Sequence, residues 1–212
     1  MTMYIRSLLV FAMLLVGAVD AMAIEEAKYT VVTKEADFEI RDYAPHVLAE
    51  IVVEGDLEDA GNKAFRSLFN YISGDNERKD EVAMTAPVSQ QATGEQIDMT
   101  APVAQQRFNE KWRVSFMMPA SYTLKTLPKP LDARVTLRQV PERRLAAVRY
   151  SGFWSEEGYL RNKAALQSWI EKKGLKIIGE PIWARYNAPF SLWFLRRNEV
   201  LIPIAPAVGN LK

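Results

Sequence analysis

Few side chains in this chain are equipped for chemistry. Among 212 residues there is one histidine, His46, and no cysteine. Without thiolates the chain cannot hold an iron–sulfur cluster, attach a c-type haem covalently or use a cysteine nucleophile. A single imidazole excludes a zinc site built on several histidines and leaves His46 as the one base for any Ser-His-Asp triad. Beyond residues 1–23 the remaining soft metal ligands are His46 and the thioethers of Met84, Met99, Met117 and Met118. Methionine more often fills gaps in a core, and a histidine opening a strand after Pro45 is ordinarily half-exposed. The chain has no Gly-rich phosphate loop, no G-x-S-x-G elbow and no H-E-x-x-H pair. Glu54, Asp56 and Glu58 cluster where a helix begins, and capping accounts for them. One catalytic carboxylate leaves no motif, so a hydrolase or lyase using a buried Glu stays open.

The aromatic residues offer binding rather than bond-making. Phe65 and Phe69 are spaced i, i+4 and share a helix face, with Arg66 off that stripe. Near the chain end, Tyr186, Phe190 and Trp193 crowd into "RYNAPFSLWFLRRNEV". Between these groups "MTAPVSQQ" at residues 84–91 returns as "MTAPVAQQ" at residues 99–106. In an extended chain Met, Ala and Val of each copy face one way and Thr and Pro the other. Proline cannot donate to a ladder, so each copy belongs at a sheet edge or bulge. The expectation is a hairpin with near-identical arms turning around residues 93–95. Its apolar face either closes the core or lips a ligand cleft, and the gap-filling habit of methionine favours the core.

The elements that must position these residues can be read from periodicity. Residues 29–33 and the alternating "FEIRDY" predict strands, with Phe38 and Ile40 on one face and Glu39 and Arg41 on the other. Ala44-Pro45 breaks the run, and "HVLAEIVVE" resumes it up to Gly55. Asp56 then caps a helix over residues 57–72 whose stripe is Leu57, Ala60, Ala64, Phe65, Leu68, Phe69 and Ile72. "WRVSFMMP" is a further strand, and a proline-punctuated connector follows it. The opening pattern then recurs, as strand, break, strand, glycine and a Ser155-capped helix over residues 156–173, closed by further strands. At an offset of ninety-seven, Ile40 meets Leu137, Arg41 meets Arg138, Leu48 meets Leu145, Ala49 meets Ala146 and Gly55 meets Gly152. Two such units, neither able to cover its own sheet, predict one pseudo-twofold α+β domain.

Residues 1–23 read as a cleaved secretory signal: Arg6 before an uncharged apolar run, then Ala-Met-Ala. The run falls short of the roughly 18–20 residues of a spanning helix, which disfavours the alternative of an uncleaved anchor. The expected mature domain is 24–212, in the bacterial periplasm or outside the cell. Net charge is +1, and it stays so when the leader's Arg6 and Asp20 are removed. Such balance is not the basic footprint that nucleic acid requires.

With "FEIRDYAP", "NYISGDNERKDEVAMTAPV", "WRVSFMMP" and "ARYNAPFSLWFLRRNEV" in this order, the chain resembles the SOUL haem-binding protein family over nearly all of residues 24–212. The resemblance implies a twisted, barrel-like, mostly antiparallel sheet with two helices packed outside and a pseudo-twofold repeat, similar to gyrase-inhibitor-like domains. It implies non-covalent binding of haem or a related tetrapyrrole, as carrier or buffer, on a surface between the first helix and the late strands. Carried onto this chain, that surface is Phe65, Arg66 and Phe69 with Met84, Tyr186, Phe190 and Trp193. Some relatives carry a histidine in the segment matching "EIRDY"; here Asp42 stands there, leaving His46 as the candidate iron ligand. A lysine of some relatives is Ser191 here, so Arg196 or Arg197 would serve a propionate, unless the pair makes surface salt bridges with Glu199. The competing readings are a module for another flat hydrophobic molecule and the buried-carboxylate enzyme.

Overall fold

The computed structural model describes residues 24–77 and 94–206. Its centre is a curled half-barrel of nine strands. In chain order these are β2 (Tyr29–Glu35), β3 (Phe38–Tyr43), β4 (His46–Val53), β7 (Val103–Phe108), β8 (Lys111–Met117), β10 (Thr136–Val140), β11 (Arg143–Tyr150), β12 (Ile182–Arg185) and β13 (Asn198–Pro203). Two-residue strands pair beside it: β1 (Glu25–Glu26) with β6 (Thr100–Ala101), and β5 (Asn76–Glu77) with β9 (Lys129–Pro130). Helix α1 (Leu57–Ile72) and helix α2 (Glu156–Lys172) complete the domain.

The sheet order β10-β4-β8-β7-β12-β13-β11-β3-β2 is nearly a palindrome about the β7–β12 pair. The internal repeat explains it. Strands β3, β4, β7 and β8 correspond to β10, β11, β12 and β13, and each half lends its first strand to the other. Thus β3 pairs with β11 while β10 pairs with β4. The glycines matched in the sequence, Gly55 and Gly152, carry φ of 127° and 130°. Both adopt the conformation that only glycine enters freely, where strand turns into helix.

Both helices lie on one face. A single cross-sheet row, Ile51–Val114–Gln105–Trp183–Val200–Val148–Phe38, shows how. Ile51 and Val114 pack with Ala64, Leu68 and Ile72 of α1, whereas Trp183, Val200 and Val148 pack with Leu166, Trp169 and Ile170 of α2. Asp56 caps α1 through its side chain to the Asp59 amide at 2.8 Å, and Ser155 caps α2 through the Gly158 amide at 3.2 Å. One expectation fails on α1. Phe69 is 44% exposed, and the buried position goes to Tyr71. The Tyr71 hydroxyl reaches past the stripe to donate to the Pro128 carbonyl at 3.0 Å, so the ring can be buried with its polar end satisfied.

The opposite face is closed by charge pairs as much as by apolar contact. Arg41, on the face the alternation assigns it, is buried there against Glu199. No helix among the described residues is long and apolar enough to cross a membrane.

Candidate functional site

An apolar cleft of about 350 Å³ opens on the helix face, between α1, the β6–β7 segment and the loop after β12. Its walls include Phe65, Met99, Val103, Trp154, Tyr186 and Phe190. Phe65 is fixed from α1 by an edge-on contact with Phe116, centroids 5.3 Å apart, and by stacking on Phe69 at 5.9 Å. The second "MTAPV" copy supplies Met99, Ala101 and Val103 to the same wall. Pro102 faces the other way, as the alternation predicts, and interrupts the ladder between β6 and β7. This copy therefore lips the cleft instead of closing the core. It does not form the expected hairpin from Val103 onward, because both edges of β7 are occupied, by β8 and β12. The first copy, with Met84, lies outside the described residues.

The loop after β12 forms the outer rim. Arg196 staples it, donating to the Ser191 carbonyl at 2.9 Å and the Pro189 carbonyl at 2.6 Å. Phe190, on that loop, is 88% exposed. Trp193 is not a lining residue; it stacks on Phe153 outside the mouth at 5.3 Å. Arg66 is exposed and joins Lys63, Lys111 and Arg134 along a separate open groove.

Tyr186 joins the cleft to the opposite face. Its ring is a wall, and its hydroxyl donates to Glu199 at 2.8 Å. Glu199 is 0% exposed and also receives both Arg41 terminal nitrogens, at 2.7 and 3.1 Å, and Arg197 Nε at 3.0 Å. Burial and the neighbouring Glu199 carboxylate push the Tyr186 phenol well above its ordinary range. Burial opposes the charge on Arg41, but the paired bonds to Glu199 outweigh it and hold its pKa above the usual value. The Arg197–Glu199 pair expected from the sequence is present, though Glu199 is deep inside and Arg196 takes no part in it. The second buried carboxylate, Glu50, is gripped by Arg138 at 2.8 Å. Both carboxylates are tied to guanidinium groups.

Beside the Arg41–Glu199 knot lies a chamber of only about 50 Å³, lined by His46, Arg143 and Met117 among others. That volume suits water, not a drug-sized ligand, which occupies roughly 300–1,000 Å³. His46 sits here, with Nδ1 2.8 Å from the Ala44 carbonyl, and not in the cleft. Burial and the nearby Arg143 and Arg138 hold its pKa below the ordinary imidazole value.

Among the cleft residues that escaped sequence reasoning are Trp154, Gly61 and Arg185. Arg185 pairs with Val103 across β12 and β7 and projects onto the helix face. Its guanidinium lies 5.1 Å from the Trp154 ring centre and 5.0 Å from that of Trp183. Its Nε is sealed from solvent without a hydrogen-bond partner, while the side chain lines the cleft. Gly61 makes the space: a Cβ there would stand 3.0 Å from Arg185 Nη2 and 3.0 Å from Gln105 Oε1. The available signal was a glycine inside an otherwise sound helix, "EDAGNKAF".

A site so composed can hold a flat apolar molecule. Met99 is the one sulfur among the described lining residues, with no imidazole beside it. Comparison with known proteins agrees with this architecture. The C-terminal domain of EcmrR superposes with a TM-score of 0.57 at 10% identity, covering 84% of this chain and 98% of that one. A hydrolase from Listeria innocua gives 0.53 at 14%, covering 82% and 94%. At such identities the likeness is one of fold. Heme-binding protein 2 from Homo sapiens is 27% identical over 173 residues, 76% of this chain and 79% of that protein. The family model described as SOUL heme-binding protein matches residues 24–203, and the chain therefore belongs to the SOUL haem-binding protein family.

Proposed function

We propose that this protein binds haem or a related tetrapyrrole non-covalently in the cleft between α1 and the β12–β13 loop, as a carrier or buffer. The observation that carries the reading is the apolar cavity of about 350 Å³ walled by Phe65, Met99, Val103, Trp154, Tyr186 and Phe190. Its volume lies within the range of small-molecule sites. A porphyrin is larger than the enclosed space, so one edge enters and the exposed Phe190 covers what remains.

When bound, haem supplies a flat apolar ring, two propionates and an iron. The protein's part is to strip water from the ring, which gains roughly 25 cal/mol per Å² of apolar surface buried. A few hundred Å² gives several kcal/mol before the cost of association, so micromolar affinity needs roughly 500 Å² or more of ring surface covered. An axial bond is secondary in this account, because His46 stands in the chamber on the other face. The domain acts outside the cytoplasm once residues 1–23 are removed; N-terminal sequencing of exported protein should begin near Ile24, and a retained Met1 would refute that part.

Titration with haem should give a shifted Soret band that saturates at one equivalent. Phe65→Ala should weaken binding, His46→Ala should leave it nearly unchanged, and metal-free protoporphyrin should bind almost as well. No saturable band, or binding that His46→Ala abolishes, would overturn the reading.

A further inference from the structure

The structure assigns Arg185 as the group that recognises a carboxylate on the ligand, so that the cleft is built for an apolar molecule bearing an acid. This inference rests on the cleft being the ligand site, as proposed above.

Elimination among the nearby cations comes first. Arg196 is spent on the Ser191 and Pro189 carbonyls, and Arg197 on Glu199 and Glu26. Arg66 faces another groove. Arg185 alone lines the cleft without a hydrogen bond or ion pair to any described residue. Charged side chains removed from water are ordinarily paired, because desolvation penalises an isolated charge. Burial pushes the Arg185 pKa down to about 10, which still leaves it a cation at neutral pH.

The surroundings hold the charge without neutralising it. Trp154 and Trp183 present their rings to the guanidinium, a favourable but partial substitute for water. Gly61 gives up a side chain in mid-helix, and the guanidinium stands beside the space so left. Gln105 Oε1, close to the same position, is also buried and unpaired. A planar fork with free donors at an apolar wall is the form of site that takes a carboxylate through two parallel bonds. A neutral ligand of equal shape would leave those donors desolvated and unmatched.

The test uses two pairs of probes that differ in charge but share a body. Protoporphyrin is compared with its dimethyl ester, and anilinonaphthalene sulfonate with phenylnaphthylamine, by fluorescence titration of the purified protein. The unaltered protein should bind each acid at least about tenfold tighter than its neutral partner, as expected for charge-assisted hydrogen bonds. Arg185→Met should erase that preference, and it should bind the neutral probes at least as tightly as the unaltered protein does. Equal binding of acid and neutral forms by the unaltered protein overturns the inference, even if the variant fails to fold. So does a preference that persists in Arg185→Met. If porphyrins do not bind but the naphthalene pair shows an Arg185-dependent preference, the acid-reading role stands and the tetrapyrrole reading falls. If porphyrins bind without preference the reverse holds, and if no probe binds both are overturned.

Discussion

At the scale of the residue, the Glu199 knot is where the protein has most to lose. Arg41→Ala would leave a sealed carboxylate short of two of its three guanidinium bonds. Breaking one partner of a buried pair costs about 3–5 kcal/mol, so urea denaturation should show a loss of that order. Tyr186→Phe is a finer probe. It removes one donor to Glu199 but keeps the ring that walls the cleft, so stability should fall by about 1–3 kcal/mol while porphyrin affinity holds. Loss of affinity matching the loss of stability would show that the ring depends on its hydroxyl for position. Of this chemistry only the Arg197–Glu199 pairing was legible in the sequence, and there as a surface contact. Glu199 beside Arg196 and Arg197 has the look of a solvated strand surface, and its burial comes from Arg41, which reaches it from the other half of the chain at a separation of 158 residues. Arg185 is hidden for the same reason. A lone arginine ending a strand leaves no pattern, and what makes it significant is Gly61 on a distant helix.

At the scale of the element, local signals spoke clearly. Asp56 and Ser155, the acidic first turns and the apolar stripes bounded both helices almost to the residue. Asp56→Ala should therefore cost about 1 kcal/mol in thermal or urea unfolding, as the loss of an N-cap does. Gly61→Ala separates helix propensity from packing. Propensity alone forecasts a gain of about 1 kcal/mol. The methyl group would instead meet Arg185 and Gln105 at 3.0 Å, and overpacking costs about 1–3 kcal/mol, so the expected outcome is a net loss. A variant more stable than the parent would show that the guanidinium moves aside freely. The stripe misplaced Phe69 and overlooked Tyr71 because periodicity ranks residues by angle and ignores a hydroxyl's reach. The repeated "MTAPV" was legible as strand with alternating faces, but its neighbours were not, since pairing to β1, β8 and β12 is set by the sheet and not by the segment.

At the scale of the whole molecule, stability should form a plateau in pH with a wall on each side. Burial raises the phenols of Tyr43, Tyr150 and Tyr159 to about 12 each. Above the ordinary value of 10.0 the unfolded chain releases those protons and the folded chain does not, so stability falls as pH climbs from 10 through 12. On the acid side Lys173 lowers Glu35 from 4.5, and Arg134 lowers Asp132 from 3.8 to about 2. There the unfolded chain binds protons first, so stability begins to fall near pH 6.5, where burial disfavours the His46 charge, and falls further below about 4.5, gently because the carboxylate pairs are exposed. Melting temperatures across the range, with phenolate absorbance followed alongside, would check both slopes; tyrosines ionising at their ordinary value in the folded protein would contradict the alkaline one. The exchange of first strands between the halves bears on how the chain comes into being. Synthesised from its N-terminus, β4 must wait for β10, whose Thr136 meets Glu50 across 86 residues, and β3 must wait for β11, whose Arg144 meets Asp42 across 102. Contacts so remote in sequence slow folding and keep strand edges open meanwhile. A second nascent copy offers the same strands in the same register, so crowding at that moment favours dimers in which two chains trade halves and each completes the other's sheet.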